Sequence, residues 1–187
     1  MKKVFIDGSA GTTGLRIFDR LHRRTDIQLL TLPESERKLE TSRKKMLNEA
    51  DVVFLCLPDD AACEAALWVE NPDTVVLDTS TAHRTAPGWC YGFPELSPVQ
   101  EARLRQAKRI AVPGCHASGF IALVYPLVSA GLLTPDALLS CYSLTGYSGG
   151  GKKMIAEYRA TERSFLLNAP RQYALGQTHK HLKEMKA

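Results

Sequence analysis

The sequence lacks any C-x-x-C pair, any block of like charge and any uninterrupted apolar run long enough for a bilayer. Its five cysteines, Cys56, Cys63, Cys90, Cys115 and Cys141, are odd in number and widely spaced. A zinc knuckle or disulfide framework is therefore not expected, and no metal is assigned. Lysine and arginine number 24 against 20 aspartates and glutamates, a net charge of +4. That balance is too mild and dispersed to call for nucleic acid or a membrane surface, and leaves a small-molecule substrate, anionic ones included. Met1-Lys2-Lys3 precedes only three apolar residues before Asp7, so no signal peptide is read and a cytoplasmic location is expected. The stretch Ile110 to Pro135 carries no Asp, Glu, Lys or Arg, but Pro113, Gly114, His116, Ser118 and Pro126 interrupt it. Its apolar part, Phe120 to Leu133, falls short of the ~20 residues a span requires and reads as a buried core helix.

What is present is an ordinary globular composition, 44% hydrophobic and 24% charged over 187 residues. This excludes disordered, collagen-like and coiled-coil classes and allows one domain with part of a second. Val4-Phe5-Ile6 stops at a glycine-rich turn, after which Leu15, Phe18, Leu21 and His22 recur at helical spacing. Ile27 to Leu32 reads as a strand, Arg37 to Glu49 as a polar helix, and Val52 to Leu57 as a strand buried on both faces. Ala61 to Val69 suits a helix, Thr74 to Leu77 a strand, and Ile110 to Val112 a further strand. Strands alternating with helices at this spacing predict an α/β fold, a doubly wound, Rossmann-like parallel sheet. The texture changes after residue 136. Ser140 to Thr145 alternates like a strand, and Lys153 to Asn168 suits a helix. The division expected is residues 1–136 as a dinucleotide-binding domain and 137–187 as the start of a second, α+β, substrate and dimerisation domain.

Gly8-Ser9-Ala10-Gly11-Thr12-Thr13-Gly14 follows the first strand and opens the first helix. Glycines there permit a tight turn and let a pyrophosphate reach backbone N–H groups at a helix N-terminus. An NAD site commonly carries an acid at the end of the second strand for the ribose hydroxyls. Glu34 stands near that place, but Ser35, Arg37 and Lys38 could contact a 2′-phosphate, so NADP(H) is the expected cofactor.

Cys115, in Pro113-Gly114-Cys115-His116, lies between a strand and the uncharged helix. A helix N-terminus stabilises a thiolate, the nucleophilic form. Cys56 lies within an apolar strand and Cys63 on a helix, and Cys90 and Cys141 have no such setting. A thiolate nucleophile needs a proton-transfer partner. His22 and His83 lie in other elements and His116 adjoins the cysteine, which leaves His179 and His181; separated by one residue, these would face the same way on an extended strand.

The ordered set of the Gly8–Gly14 loop, Leu77 to Arg84, Tyr91-Gly92-Phe93-Pro94-Glu95-Leu96, Pro113-Gly114-Cys115, Gly146 to Lys152 and His179-Lys180-His181 resembles the N-acetyl-γ-glutamyl-phosphate reductases, in their shorter-loop subgroup. It is more distantly similar to aspartate-semialdehyde dehydrogenases. The resemblance implies that Cys115 attacks the acyl phosphate of N-acetyl-γ-glutamyl phosphate and that NADPH reduces the thioester to the semialdehyde, a step in arginine biosynthesis. It implies His179 or His181 as acid/base, Ser80 as a cofactor contact, and Arg84, Ser148, Gly149 and Lys152 as substrate contacts. It further implies a homo-oligomer at full length. Lys183-Glu184 stands where the family has a proline and a glutamate after the paired histidines, so Glu184 keeps the match and Lys183 departs from it; the family's second domain continues well beyond this length, so the chain is expected to be truncated at its C-terminus. Three alternatives stay open: an aspartate-semialdehyde-type dehydrogenase, a catalytically inactive nucleotide-binding fragment, and a cofactor-free cysteine hydrolase against which the glycine loop argues.

Overall fold

The structure is a computed structural model and describes residues 1–172 and 174–187. Its centre is a six-stranded sheet whose strands, in chain order, are β1 (Lys2–Asp7), β2 (Ile27–Leu30), β3 (Val52–Leu55), β4 (Val75–Asp78), β5 (Cys90–Tyr91) and β6 (Arg109–Ala111). They lie in the order β2-β1-β3-β4-β6-β5, and every pairing is parallel. Val4 pairs with Val52 and Val52 with Val75, so the branched side chains stack across the middle of the sheet. Phe5, Leu47, Val53, Leu55, Val69 and Val76 form the core cluster. Each such side chain contributes roughly 1.5–3 kcal/mol by leaving water.

The connections are α1 (Thr12–Leu21), α2 (Glu40–Glu49), α3 (Asp59–Leu67) and α4 (Pro98–Gln106). Helix α2 is polar but buries Leu47, and Asn48 stitches its end to the following layer. The Asn48 amide donates to the carbonyls of Lys44 and Trp68, and its oxygen accepts from the backbone N–H of Glu70 and Asn71. Ser97 caps α4 by accepting from Gln100 N–H, with Pro98 at the first helical position. The strand order reverses between β1 and β3. The loops after these two strands therefore splay apart at the C-terminal edge and leave a crevice, as open α/β sheets do.

Beyond β6 come α5 (Cys115–Ser129), a 3₁₀ turn at Tyr147–Gly150, α6 (Gly151–Arg159), a second 3₁₀ turn at Phe165–Asn168 and α7 (His181–Lys186). Helix α7 packs against α5. The parallel doubly wound expectation is met, as is the helix after the glycine turn, and three local expectations are corrected. Helix α5 is not a buried core helix: of its residues Ala117 is the buried one, while Leu123, Tyr125 and Leu127 are exposed, because no element among the described residues covers that face. Ser140 to Thr145 forms no strand, since alternation without a neighbouring ladder leaves the backbone unpaired. The helix expected over Lys153 to Asn168 ends at Arg159, and a 3₁₀ turn follows. In α1 the spacing of Leu15, Phe18 and Leu21 is helical, yet Gly14 is the residue that is buried and Leu15 is half exposed.

Candidate active site

The crevice at the reversal point holds a cavity of about 510 Å³, of the size that takes cofactors and small substrates. Gly11, Thr12 and Thr13 line one end, the β3–α3 turn from Cys56 to Asp59 one wall, Thr79, Ser80 and Thr81 the floor, and Arg84, Lys152, Lys180 and His181 the far side. The glycine loop is shaped by contact with its own chain. Gly8 has φ +85, and a Cβ on it would run into the Cys56 carbonyl; Gly11 N–H donates to Gly8 O at 2.9 Å. Gly11 is the N-cap of α1 and no side chain caps that helix, so its first N–H groups face the crevice unpaired by side chains. Residues Gly8 to Gly14 thus fit a pyrophosphate, with backbone donors and a helix N-terminus at the rim of a roomy cavity.

The next loop, after β4, is fixed by buried Asp78. Its carboxylate accepts from Ser80 N–H at 2.9 Å, Ser80 Oγ at 2.6 Å and His83 Nδ1 at 2.6 Å, and His83 stacks on Trp89 with ring centroids 3.9 Å apart. Ser80 is thereby held rigid at the cavity floor. Across the cavity Asp59 accepts from Thr81 N–H and Thr81 Oγ1; burial opposes ionisation, yet these two bonds hold its carboxylate below the ordinary value. Cys56, in the same wall, is pushed up to about 11 by burial and stays a thiol.

Cys115 is the first residue of α5 and is exposed, with Gly114 as N-cap. Gly114 itself is buried because two side chains press on it: a Cβ built there would lie 2.5 Å from Arg84 Nη1 and 2.5 Å from His181 Nε2. The histidines do not lie on a strand as expected. His179 precedes α7, and His181 is the first residue of that helix. Their rings meet edge to face at 4.5 Å, and His116 joins them at 6.0 Å from His179 and 5.8 Å from His181. His179 Nδ1 accepts from His181 N–H, which puts the ring proton of the neutral form on Nε2. Burial, with the positive charge of Arg84 adding, pushes His181 down to about 4. Burial and the neighbouring His116 and Lys180 also lower His179. Both imidazoles are therefore neutral around pH 7, and His181 Nδ1 is buried without a hydrogen-bond partner.

Glu184, one turn along α7, is the residue whose structural role sequence reasoning missed. Its carboxylate is buried and accepts from Arg84 Nη1 at 2.9 Å, Tyr91 Oη at 2.6 Å and Gly114 N–H at 2.7 Å. The partners are 70 to 100 positions away in sequence, which no local pattern reveals. The Arg84 guanidinium also donates to the carbonyls of Val112 and Thr79. Tyr91, half-buried and bonded to Glu184, has its phenol pushed up by partial burial and by that carboxylate and stays protonated. His116, set aside in sequence because it adjoins the cysteine, was likewise missed.

Thus the structure gathers Gly11, Thr12, Thr13, Ser80, Arg84, Lys152 and His181 around one cavity, with His179 and His116 beside His181; Cys115 does not line the cavity but follows Gly114, on which His181 packs. Ser9, Ala10 and Gly14 complete the loop. Ser35, Arg37 and Lys38 sit on an exposed turn after β2 and do not line the cavity, nor do Ser148 and Gly149 in the exposed 3₁₀ turn before α6. Among the described residues no group of His, Cys, Asp and Glu could hold a metal ion, and no helix is long and apolar enough to cross a membrane.

A parallel sheet whose first strand runs through a glycine turn into the N-terminus of a helix, beside a crevice at the point of strand reversal, has the form of a dinucleotide-binding domain. The chain belongs to the semialdehyde dehydrogenase family: the family model for the NAD binding domain matches residues 31–104, and that for the dimerisation domain matches residues 115–187. Within that family it is similar to N-acetyl-gamma-glutamyl-phosphate reductase 2 of Pseudomonas putida, 49% identical over 184 residues, 97% of this chain and 58% of that protein. It is equally similar, 49% over 186 residues, to N-acetyl-gamma-glutamyl-phosphate reductase of a Chelativorans species, covering 98% of this chain and 59% of that protein. The chain therefore spans about three fifths of the length of these curated relatives. In fold it is like aspartate semialdehyde dehydrogenase II of Vibrio cholerae, at a TM-score of 0.63 and 17% identity, covering 93% of this chain and 55% of that one.

Proposed function

We propose that the chain serves a cytoplasmic, homo-oligomeric reductase that converts N-acetyl-γ-glutamyl phosphate to N-acetylglutamate γ-semialdehyde and phosphate with NADPH, in arginine biosynthesis. The observation that carries this reading is a crevice lined by a glycine loop suited to pyrophosphate and by His181, whose neutral imidazole lies over Gly114, the residue before the thiol at the start of α5. The reading divides the chain at 136/137 into a dinucleotide-binding domain and the start of a substrate and dimerisation domain, and the bare apolar face of α5, at the end of the first part, supports assembly.

Backbone N–H groups at the start of α1 would hold the pyrophosphate, and Ser80, fixed by Asp78, would contact the cofactor at the cavity floor. Reduced nicotinamide bound there supplies hydride to an acyl carbon. Cys115 Sγ attacks the carbonyl carbon of the acyl phosphate, the C–O bond to phosphate breaks, and phosphate leaves with the electron pair. The resulting thioester accepts hydride more readily than a carboxylate does. His181, neutral at working pH, donates an N–H bond to the acyl oxygen as it gains negative charge, and His179, with its proton on Nε2, is the second donor. Lys152 and Lys180 supply positive charge at the cavity rim for the leaving phosphate. When the tetrahedral centre collapses, the thiolate is expelled and the aldehyde released.

The test follows NADPH formation from N-acetylglutamate semialdehyde, NADP⁺ and phosphate by the intact chain, with aspartate semialdehyde run in parallel. Phosphate-dependent turnover that favours the acetylated aldehyde and vanishes in Cys115→Ser is expected. Retained turnover in Cys115→Ser overturns the mechanism, preference for aspartate semialdehyde overturns the substrate, and cofactor binding without turnover assigns the chain to nucleotide binding alone.

A further inference from the structure

We infer that Glu184 is a positioning residue that clamps the reactive turn: through one buried carboxylate it fixes the backbone N–H of Gly114, and so the place of Cys115, to the helix that carries His181. This rests on the reductase reading above for its kinetic consequence, though not for its geometry. The two Glu184 oxygens take three donors. Oε1 accepts both Tyr91 Oη at 2.6 Å and Gly114 N–H at 2.7 Å, and Oε2 accepts Arg84 Nη1 at 2.9 Å. The side chains of Glu184 and Arg84 are 2% and 8% exposed, so the bonds are shielded from water and each is strong.

The arrangement links four separate pieces of chain. Tyr91 ends β5, Arg84 comes from the loop after β4, Gly114 starts α5, and Glu184 lies one turn from His181 on α7. Arg84 is locked in turn by its bonds to the carbonyls of Val112 and Thr79, the residues flanking the strand ends beneath the site. Its guanidinium is therefore spent on protein acceptors, and its part is to hold Glu184 rather than to meet a substrate. Packing closes the remaining freedom, because Arg84 Nη1 and His181 Nε2 both abut the space a Cβ on Gly114 would fill. The thiol-bearing turn and the imidazole thus have one relative placement, set by hydrogen bonds that touch neither the sulfur nor the ring.

Glu184→Gln distinguishes this from burial alone. An amide has one accepting oxygen; the charge of Arg84 claims it, and the amide N–H₂ then faces the Gly114 N–H donor to donor. Expected in the full chain is a fall of about a hundredfold in kcat with NADPH affinity within a factor of about two, since a displacement near 1 Å costs on that order. Amide exchange of residues 113–118 should quicken about tenfold at a temperature where circular dichroism shows the sheet intact. Tyr91→Phe, a milder change for the case where Glu184→Gln does not fold, should lower kcat about three- to tenfold, as Oε1 loses one of its two donors. Folded variants with kcat and Gly114 exchange unchanged overturn the clamp. If the parent chain itself turns over no acyl phosphate, the reductase reading fails while the exchange measurement still decides the clamp.

Discussion

Replacing Gly114 by alanine probes the most crowded point of the site. The backbone is no obstacle, for Gly114 has φ −74 and ψ 149, which any residue adopts. Space is the obstacle: the added Cβ meets Arg84 Nη1 at 2.5 Å and His181 Nε2 at 2.5 Å and Cε1 at 2.7 Å. Neither neighbour is a free-swinging tip, since Arg84 is held by three acceptors and His181 is 7% exposed. Each must retreat by roughly 1 Å to reach ordinary contact. Overpacking of this kind costs about 2 kcal/mol, which lowers Tm by roughly 4–8 °C for a chain of this size. The same retreat shifts the imidazole relative to the turn that carries the thiol and should cut kcat about a hundredfold. Gly119→Ala is the control. It lies in α5 with nothing within 4 Å of its Cβ, so it should leave turnover unchanged and stabilise by about 0.5–1 kcal/mol through helix propensity. Differential scanning fluorimetry and steady-state rates measure both. A Gly114→Ala variant that melts with the parent and turns over at its rate refutes the packing reasoning.

Three further outcomes are expected. His181, depressed to about 4 against an unfolded value near 6.5, binds its proton more readily in the unfolded chain, so its contribution is present above about pH 6.5 and is lost as pH falls towards 4; with the ring near the cavity, about 1–2 kcal/mol is at stake, and His181→Gln should flatten the fall in Tm over that window. Arg37→Ala with Lys38→Ala should weaken NADPH binding about tenfold while sparing NADH, by loss of a charge-assisted contact; equal effects on both cofactors in a fluorescence titration refute a 2′-phosphate role. Gly8→Ala, at φ +85 and against the backbone of Cys56, should cost at least about 3 kcal/mol in urea unfolding, because neither the dihedral nor the carbonyl can yield.

The sheet was legible because burial on both faces forces continuous apolar runs, as Val52 to Leu55 shows, and because the Gly8–Gly14 loop sits where strand gives way to helix. Two elements left no such trace. The strand Cys90–Tyr91 has two residues, too few for any period, and α4 carries only Val99, Ala102 and Leu104 among its polar residues, too few to mark an apolar stripe. Helix α5 and Ser140 to Thr145 misled in the opposite direction: their apolar patterns are real, but they describe surfaces uncovered in this chain rather than its core. At the site, Cys115 could be found from its own neighbours, whereas Glu184 could not. A buried carboxylate is recognised by its donors, and those of Glu184 arrive from β5, the β4 loop and the start of α5.

Helix α7 has six residues, yet the imidazole at its start and the carboxylate one turn on complete the surroundings of a thiol placed 66 and 69 positions earlier. During synthesis the sheet can close and bind nucleotide while that thiol is still without partners. The surroundings of that thiol are then completed by a docking event, the packing of α7 on α5, that follows closure of the sheet.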